Sequence, residues 1–537
     1  MMSVNRFPWS RLIGGVLIAL FLVLLAFRMD ILTLPAAGNR QLEKTAVMPR
    51  EAKDTWMNIY QQGHKIGYTH RTFSRQEQGF KLREEVFMRI QTMGVVQGIS
   101  LKTEGALNQD MTLAAFDFDL TSNLFSFHAR GKVDKDRMSI VTKVSGDERR
   151  YELPLKEQVQ LSQGVFARAL HADLKPGQEL TVSVFDPMTM GSRPVRLSFV
   201  GEQTLTIMGR RQTLKKYAVD FMGARQYAWL DREGDVVREE GILGMALEKT
   251  TPEEALAGLA SSGSADLTDL ASVDARVQIP DPVGLQVLKV KLSNIDAGAL
   301  MLAGGRQTYA RGLLTIRKEV RKNSGDIRRD DRGKKKDSAG QAGRDHAAGE
   351  RDGVARINGD QTRGGQKYDD RVLKDRQAYL ASTPFIQTSN PAIRTQAGAI
   401  VSRDDGDEQK ARKIVAWVFK NIEKRPVLSV SNAVETLKNR VGDCTEHAVL
   451  VAALARAASI PTLIETGLVY QRGRFYYHAW NAFWLDKWGG WVTADAVMNQ
   501  LPADVTHLRF VRGEVETQLD LMGVVGKIKL QVIGMSQ

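Results

Sequence analysis

The sequence contains only one cysteine, Cys444, among its 537 residues. A single cysteine cannot form an internal disulfide, which excludes a disulfide scaffold but does not fix the cellular compartment. Any thiol chemistry must therefore use this one residue. A chain of this length is too long for one core, and its 43% hydrophobic residues can fill several cores. We expect about two to four domains.

A basic motif interleaved with aromatic residues is also lacking, although the formal net charge is +13. Much of the excess is local. The first fifty residues hold six Lys and Arg against two Asp and Glu, and residues 321–376 hold sixteen against eleven. A tract of mixed sign is typical of a solvated spacer rather than a binding stripe. The sequence therefore predicts no nucleic-acid partner.

Long hydrophobic runs are rare, and the one that stands out extends from Leu12 to Phe27 between two arginines. It is longer than a typical signal-peptide core and shorter than the roughly twenty residues of a bilayer span, which apolar flanking residues can supply. We expect residues 1–34 to be a transmembrane anchor, with a cleaved signal sequence as the alternative. Positive residues precede the run, so the chain would be single-pass in the cell inner membrane with its bulk in the periplasm.

Residues 50–262 alternate apolar and polar side chains, which predicts a domain of antiparallel β-sheet. Trp56–Tyr60 and Lys65–Tyr68 flank a glycine turn and predict a hairpin, and Gln226–Leu230 begins a second one. Pro252 after Thr251 predicts the start of a short helix. We interpret this β-rich domain as a scaffold or as a surface for an envelope protein partner.

Two further segments separate this domain from the C-terminal part. Residues 263–320 contain the predicted strands Leu285–Leu292 and Leu313–Val320, which indicate a small β unit. Residues 321–375 are rich in Gly, Lys, Arg and Asp and almost free of aliphatic and aromatic side chains. Such a segment buries too little apolar surface to offset its chain entropy, so we predict a charged disordered linker.

Residues 376–537 change to the helical period of 3.6 and then return to strands. The predicted helices begin after Asn390 and after Ser431 as N-caps, and two more cover Asp407–Lys424 and Asp443–Ala458. The predicted strands are Leu463–Tyr470, Phe475–Leu485, Gly490–Asp495 and Leu530–Ile533. Helices followed by antiparallel strands predict an α+β domain.

Cys444 lies in the first turn of the last predicted helix, within the polar segment Gly442–His447. The thiolate is the reactive form of cysteine, and the unpaired N–H groups of a helix N-terminus stabilise negative charge there. The same groups can receive the oxyanion of a tetrahedral intermediate. A lone cysteine is most often a small core residue, but core residues are expected further along this helix, near Leu450 and Leu454. The position predicts a nucleophile with a lowered pKa.

Two histidines compete as the base for this thiol. His447 is a neighbour on the same helix, whereas His478 lies in a strand that precedes the strand ending at Asp495. A symmetric hairpin centred between Asp486 and Lys487 would place residue 478 directly opposite residue 495, within contact distance. Asp495 would then fix the tautomer of the imidazole. We favour His478 and expect His447 to be a polar neighbour or a helix-surface residue.

Three motifs of this region resemble one known family: Gly442–Ala448, Tyr477–Trp480 and Trp491–Asp495. In this order and spacing they resemble the bacterial form of the transglutaminase-like (papain-related) superfamily, over about residues 385–515. The sequence departs from the usual family pattern at two positions. Asn481 stands where an acidic residue usually follows His-Ala-Trp, and Ala496 stands where proline usually follows the aspartate.

The resemblance implies a catalytic triad, with Cys444 as nucleophile, His478 as general base and acid, and Asp495 as the orienting carboxylate. It also implies a fold of the cysteine-protease type and acyl transfer on the amide bonds of a protein or peptide substrate. Hydrolysis and cross-linking both remain open, as does a non-catalytic envelope binding or assembly module. Animal members use calcium, but Asp404–Glu408 lacks EF-hand spacing. We predict no metal and no cofactor.

Overall fold

The computed structural model describes residues 52–321 and 378–537, apart from gaps at 93, 123–124, 145–146, 156, 163–164, 167–168, 170–171, 173, 222–223, 259–264, 427–431, 514–520, 522–523 and 525–526. The predicted anchor at 1–34 lies outside the described residues, and so does the predicted linker at 321–375 except for Arg321. Within the described ranges, no helix is long and apolar enough to cross a membrane.

The N-terminal region is one antiparallel sheet of fourteen strands, in the order β8-β7-β6-β5-β4-β3-β2-β1-β14-β13-β12-β11-β10-β9. The strands are β1 (Lys53–Gln61), β2 (His64–Gln76), β3 (Gly79–Thr92), β4 (Val95–Leu107), β5 (Leu113–Ser122), β6 (Phe125–Asp134), β7 (Arg137–Val144), β8 (Asp147–Pro154), β9 (Glu179–Asp186), β10 (Gly191–Ile207), β11 (Arg210–Phe221), β12 (Ala224–Leu230), β13 (Val236–Glu240) and β14 (Met245–Thr250).

This sheet curls so that β9, the strand at one edge, comes close to β5, the fourth strand from the other edge. The N–H of Leu113, at the start of β5, donates to the carbonyl of Val159, and the next residue, Gln160, bridges to Val184 in β9. The rings of Phe116 and Phe185 lie 5.0 Å apart between the same two strands. Side chains from both parts of the sheet therefore share one core. The β-rich region predicted from the sequence is confirmed.

Two short helices follow the sheet. Helix α1 (Pro252–Leu256) begins as predicted, because the Thr251 side chain accepts the N–H of Glu254. Helix α2 (Leu267–Leu270) leads into strand β15 (Ser272–Asp274), which was not predicted and pairs with the later strand that carries His478.

The described residues from 378 onward include the helices α3 (Pro391–Ile400), α4 (Asp407–Asn421), α5 (Ala433–Asn439) and α6 (Cys444–Ala457). Asn390 caps α3 as predicted. The predicted cap of α5 is wrong by one residue. Asn432 has an extended backbone and its side chain accepts the N–H of Glu435, so Asn432 is the cap rather than the first helical residue.

These helices pack on a five-stranded sheet made of β15, β21 (Thr462–Gln471), β22 (Arg474–Leu485), β23 (Gly490–Ala494) and β24 (His507–Arg512). A two-residue parallel pair, β19 (Glu423–Lys424) with β20 (Val441–Gly442), precedes α6. The apolar face of α6 is buried almost throughout against the sheet and the other helices. This packing fixes the start of α6 relative to β22.

The strands β16 (Val287–Ser293), β17 (Gln307–Ala310) and β18 (Leu313–Arg317) form a second small sheet with β25 (Lys529–Ser536) near the end of the chain. Its inner side chains share a core with those of β21, β22 and β24. The segment before the predicted linker is thus packed on the C-terminal domain. The positions of the domain boundaries remain predictions.

Candidate active site

Cys444 begins α6, and the residues around it form a tight N-terminal cap. The Asp443 side chain accepts the N–H groups of Thr445 and Glu446, while the Glu446 carboxylate accepts the Asp443 N–H at 2.9 Å. Gly442 is required here, because a Cβ at this position would lie 2.3 Å from the Glu446 Cβ. The Gly-Asp-Cys sequence is therefore explained by a capping box folded against its own backbone.

Cys444 is a half-buried residue whose thiol interacts electrostatically with His478 and with the Ala479 N–H. Burial raises the pKa of this thiol, the charge of Asp443 raises it further, and the interactions with His478 and the Ala479 N–H lower it. The pKa therefore lies above its ordinary value and not below it as we predicted, because burial and Asp443 outweigh His478 and the Ala479 N–H.

The structure brings His478 and Asp495 together at 2.8 Å, measured from His478 Nε2 to Asp495 Oδ2. The predicted hairpin register is wrong by two residues. Leu485 pairs with Gly490 across a loop that contains the 3₁₀ turn Asp486–Trp488. In this register, position 495 comes alongside 480 rather than 478. A shift of two keeps both side chains on the face predicted for them.

The Asp495 carboxylate has more partners than the sequence indicated. Its Oδ1 accepts the N–H groups of Val497 and Met498, and its Oδ2 accepts a second imidazole, His507 Nε2, at 3.0 Å. Together with His478, four donors hold a side chain that is fully buried. These contacts keep the pKa of Asp495 far below its usual value although burial acts against the charge.

His507 is the residue that sequence reasoning missed. It is the first residue of β24, where His-Leu-Arg-Phe-Val-Arg alternates polar and apolar side chains. That period of two was a usable signal for a strand, but nothing local placed the strand beside β21. Because β24 pairs with β21, which pairs with β22, His507 reaches the same site as His478, with ring centroids 5.9 Å apart.

Residues 394–496 match the model of the Transglutaminase-like superfamily. The chain contains a transglutaminase-like domain. The match begins within α3 and ends just past Asp495, so it contains all three predicted site residues. No curated protein matches the chain.

Two solved structures align with part of the chain. One, from Cytophaga hutchinsonii and provisionally named a cysteine protease, is 21% identical, with a TM-score of 0.23 over 30% of this chain and 54% of its own. The chain thus spans about half the length of that protein. A beta-barrel-like protein of a domain of unknown function from Brucella abortus is 12% identical, with a TM-score of 0.29 over 37% of this chain and 96% of its own. These TM-scores are too low to carry an argument about function.

The two aromatic and amide side chains that follow Ala479 in β22 form hydrogen bonds to neighbouring elements of the transglutaminase-like domain. Trp480 lies edge-on to His507 at 5.1 Å and donates its indole N–H to Glu465 at 3.0 Å. Asn481, the departure from the family pattern, donates to the carbonyl of Ala448 in α6 at 2.9 Å. A neutral amide can donate to a carbonyl where a carboxylate could not, so Asn481 ties β22 directly to the cysteine helix.

Of the two alternatives expected for His447, a polar neighbour or a helix-surface residue, the structure excludes the second. It is 1% exposed, and its Nδ1 lies 2.6 Å from the carbonyl of Asp443. A carbonyl only accepts, so Nδ1 carries the proton, and burial lowers the pKa of the ring. His447 is therefore a neutral buried histidine that closes the first turn of α6. The nitrogen that contacts the thiol belongs to His478 instead.

Two groups of side chains have the composition of metal ligands. The ligand atoms of His478, Asp495 and His507 lie within 4.8 Å of one another, as do those of Asp117, Asp119 and His128. In the first group both imidazoles donate to the same carboxylate oxygen, so hydrogen bonds already account for their arrangement. Two acids at the start of α4 are likewise engaged: Asp405, just before the helix, by Lys413 and Glu408, in its first turn, by Arg412.

Proposed function

We propose that the transglutaminase-like domain is a cysteine-dependent enzyme that transfers acyl groups from amide bonds. Cys444 is the nucleophile, His478 the general base and acid, and Asp495 the carboxylate that orients the imidazole. One observation carries the proposal: a half-buried cysteine at the start of α6 interacts with a buried histidine whose Nε2 is held at 2.8 Å by a buried carboxylate. This nucleophile, base and orienter arrangement is what covalent acyl transfer needs.

The assignment of nitrogens follows from the geometry. Asp495 holds His478 Nε2, so Nδ1 is the ring nitrogen left to exchange a proton with the thiol. Although burial acts against the charged ring, Asp495 raises the pKa of His478 to about 9. Asp495 therefore stabilises the imidazolium that forms when His478 takes the proton of the thiol. A raised imidazole pKa compensates for the raised thiol pKa, because the two groups transfer the proton between themselves.

In the first half-reaction, Cys444 Sγ bonds to the amide carbonyl carbon and the carbonyl π electrons move to its oxygen. The capping box uses the N–H groups of Thr445 and Glu446, which leaves the Cys444 N–H as the first-turn donor for this oxyanion. When the tetrahedral intermediate collapses, the C–N bond breaks and His478 gives its proton to the leaving amine. The product is a thioester on Cys444.

In the second half-reaction, His478 takes a proton from water or from an amine as either one attacks the thioester. Water yields an acid and makes the domain a peptidase or amidase, whereas an amine yields a new amide and makes it a cross-linking enzyme. The proposed substrate is a protein or peptide in both cases. The residues that hold the triad are compatible with both acceptors.

The test uses the purified chain, a mixture of glutamine-containing proteins and a fluorescent primary amine. Incorporation of the amine reports cross-linking, and new amino termini or released ammonia report hydrolysis. Wild type should give one of these products and Cys444→Ala should give neither, while Thr445→Ala serves as a matched control in the same helical turn. Full turnover by Cys444→Ala would disprove the proposal.

Non-catalytic binding is the other outcome of this experiment. Because Cys444 is the only cysteine, its alkylation can be followed by intact mass. A passive module would give no product with either acceptor, and its thiol would titrate like a free cysteine, near pH 8.5. An enzyme should instead show alkylation whose pH dependence changes when His478 is replaced by glutamine.

We also propose that the apolar run Leu12–Phe27 anchors the chain in the cell inner membrane, with the transglutaminase-like domain and the fourteen-stranded sheet in the periplasm. The sheet would then dock an envelope protein partner near the substrate. Membrane fractions should contain the full chain and lose it when residues 1–34 are deleted. Protease added to intact spheroplasts should cleave an anchored chain, and protection of the full chain would contradict a periplasmic location.

A further inference from the structure

His507 is completely buried, and each of its two ring nitrogens faces oxygen atoms. Nε2 lies 3.0 Å from Asp495 Oδ2. Nδ1 lies 3.2 Å from the carbonyl oxygen of Asp504 and 3.3 Å from its Oδ1. Its 0% exposure keeps bulk solvent away from the ring. The protonation of His507 is therefore decided by these oxygens.

The oxygens that face His507 all act as acceptors. The carbonyl of Asp504 cannot donate, and its Oδ1 already accepts the backbone N–H and the hydroxyl of Thr506, while Oδ2 accepts the amide of Gln500. Asp495 accepts its own four donors. Both carboxylates are therefore ionised, and an acceptor on each side requires a proton on each nitrogen. A neutral ring would leave one nitrogen lone pair against an oxygen.

We propose that His507 is a buried imidazolium. It positions the Asp495 carboxylate, and its positive charge lets the Cys444–His478 pair release protons at a lower pH. This inference rests on the proposed function of that pair. His507 is a positioning residue, because it acts on the thiol through Asp495 and His478 and contacts no reacting atom itself. Consistent with the geometry, the two carboxylates, opposed by burial, raise the pKa of His507 to about 9.

Other charged groups surround His507 and balance one another. Arg306 donates to the His507 carbonyl at 3.3 Å and forms an ion pair with Glu319 at 3.1 Å. Trp480 covers one edge of the ring, and His478 lies 5.9 Å away between ring centroids. The negative charge of Asp504 balances the positive charge of His507, and Glu319 balances Arg306. The negative charge of Asp495 is then left to balance a protonated His478.

The thiol side of the cluster has its own titratable neighbours. Asp443, Glu446 and Tyr477 lie near Cys444, and burial raises the pKa of Tyr477 well above its usual value. All three add negative charge or none, so none can replace the cation at position 507. Removing that cation makes the site one charge more negative. Both macroscopic pKa values of the Cys444–His478 pair should then rise.

The experiment measures the rate of Cys444 alkylation by iodoacetamide against pH in the full chain. His507→Gln keeps an N–H donor for Asp495 but removes the charge, and we expect the midpoint of the profile to move up by about one pH unit. His507→Ala removes the donor as well and should also lower the maximal rate. The matched control is His128→Gln, whose histidine contacts Asp119 at 2.9 Å in the fourteen-stranded sheet and should leave the profile unchanged.

An unchanged midpoint in folded His507→Gln, with Cys444 still reactive, would overturn the inference and leave the proposed enzyme intact. An unreactive thiol in wild type would instead refute the proposed function. If His507→Gln does not fold, ¹⁵N-histidine spectra of the wild-type chain decide. At pH 8 the chain should contain a histidine with both ring N–H protons present and slow to exchange, and this signal should remain in His478→Gln, which separates it from His478. Its absence from wild type or its loss in His478→Gln would overturn the inference.

Discussion

In the fourteen-stranded sheet, the polar side chains that reach the interior are amides and hydroxyls, such as Gln61, Gln160 and Thr69. Among the described residues from 378 onward, the buried polar groups include acids, histidines and arginines: Asp405, Glu435, Glu446, His447, Arg456, Glu465, His478, Asp495, Asp504, His507, Arg509 and Arg512. Both regions have large apolar cores. The difference lies in whether ionisable groups are buried with the apolar ones.

Buried charges are costly unless they are paired, and the transglutaminase-like domain pairs them in chains. Glu465 illustrates this. Burial acts against its charge, but Arg512 and Arg509 lower its pKa to about 2, and the Trp480 indole donates to its other oxygen. In the sheet, the pair Asp220 with Arg225 lies near the surface and the pair Arg71 with Glu84 is half-buried. Groups that can exchange protons inside a core therefore occur in the region where we place the chemistry.

The largest expected effect comes from Asp495→Asn. An amide offers one acceptor oxygen, so its NH₂ group would face N–H donors of His478 and His507 or of Val497 and Met498. We expect the C-terminal domain to lose about 3–5 kcal/mol of unfolding free energy. The surface control Asp220→Asn should cost less than about 1 kcal/mol. Peptide-resolved hydrogen exchange in urea separates the two regions.

The stability difference between wild type and Asp495→Asn should depend on pH. The pKa of His478 rises from 6.5 to about 9 on folding. Its pairing with Asp495 therefore stabilises the fold fully below pH 6.5, and this contribution is lost as pH rises through 9. Wild type should lose more stability over that window than Asp495→Asn, which keeps only the pairing of His507 with Asp504. Parallel pH profiles in the two chains would contradict the pairing.

The sequence was sufficient for the local parts of this picture and insufficient for the long-range parts. Residue patterns identified the cysteine helix, the two site strands and the β-rich region, because caps and alternation are local signals. The predicted strand ends Leu485 and Gly490 are the observed partners, but the predicted hairpin centre between Asp486 and Lys487 does not match them, and the register was wrong by two. His507 was missed because its place depends on β24 pairing with β21, and 35 residues separate the end of β21 at Gln471 from His507.

A smaller effect is expected from Gly442→Ala, which tests whether the capping box sets the position of the thiol. The new Cβ would lie 2.3 Å from the Glu446 Cβ, so Glu446 must move and release the Asp443 N–H. We expect a cost of about 1–3 kcal/mol. Gly398→Ala in α3 is the matched control, because a Cβ there meets nothing within 4 Å and should stabilise the helix by about 0.5–1 kcal/mol. Thermal melting measures both, and equal effects at the two glycines would contradict the role of the box.

The smallest effect on the unfolding free energy is expected when buried glutamines of the sheet are replaced. It should distinguish an amide without a hydrogen-bond partner from an amide with one. Both amide atoms of Gln61 are buried without a hydrogen-bond partner among the described residues, whereas Gln97 donates to the carbonyl of Pro426 in the C-terminal domain at 3.0 Å. Gln61→Met should leave the unfolding free energy unchanged or raise it by about 1 kcal/mol, because no bond is lost. Gln97→Met should lower it by about 1–3 kcal/mol, because the Pro426 carbonyl loses its donor. Urea denaturation measures both. A larger loss at Gln61 than at Gln97 would mean that the Gln61 amide has a partner, such as an ordered water. Buried polar contacts would then stabilise the interior of the sheet as they do the interior of the transglutaminase-like domain.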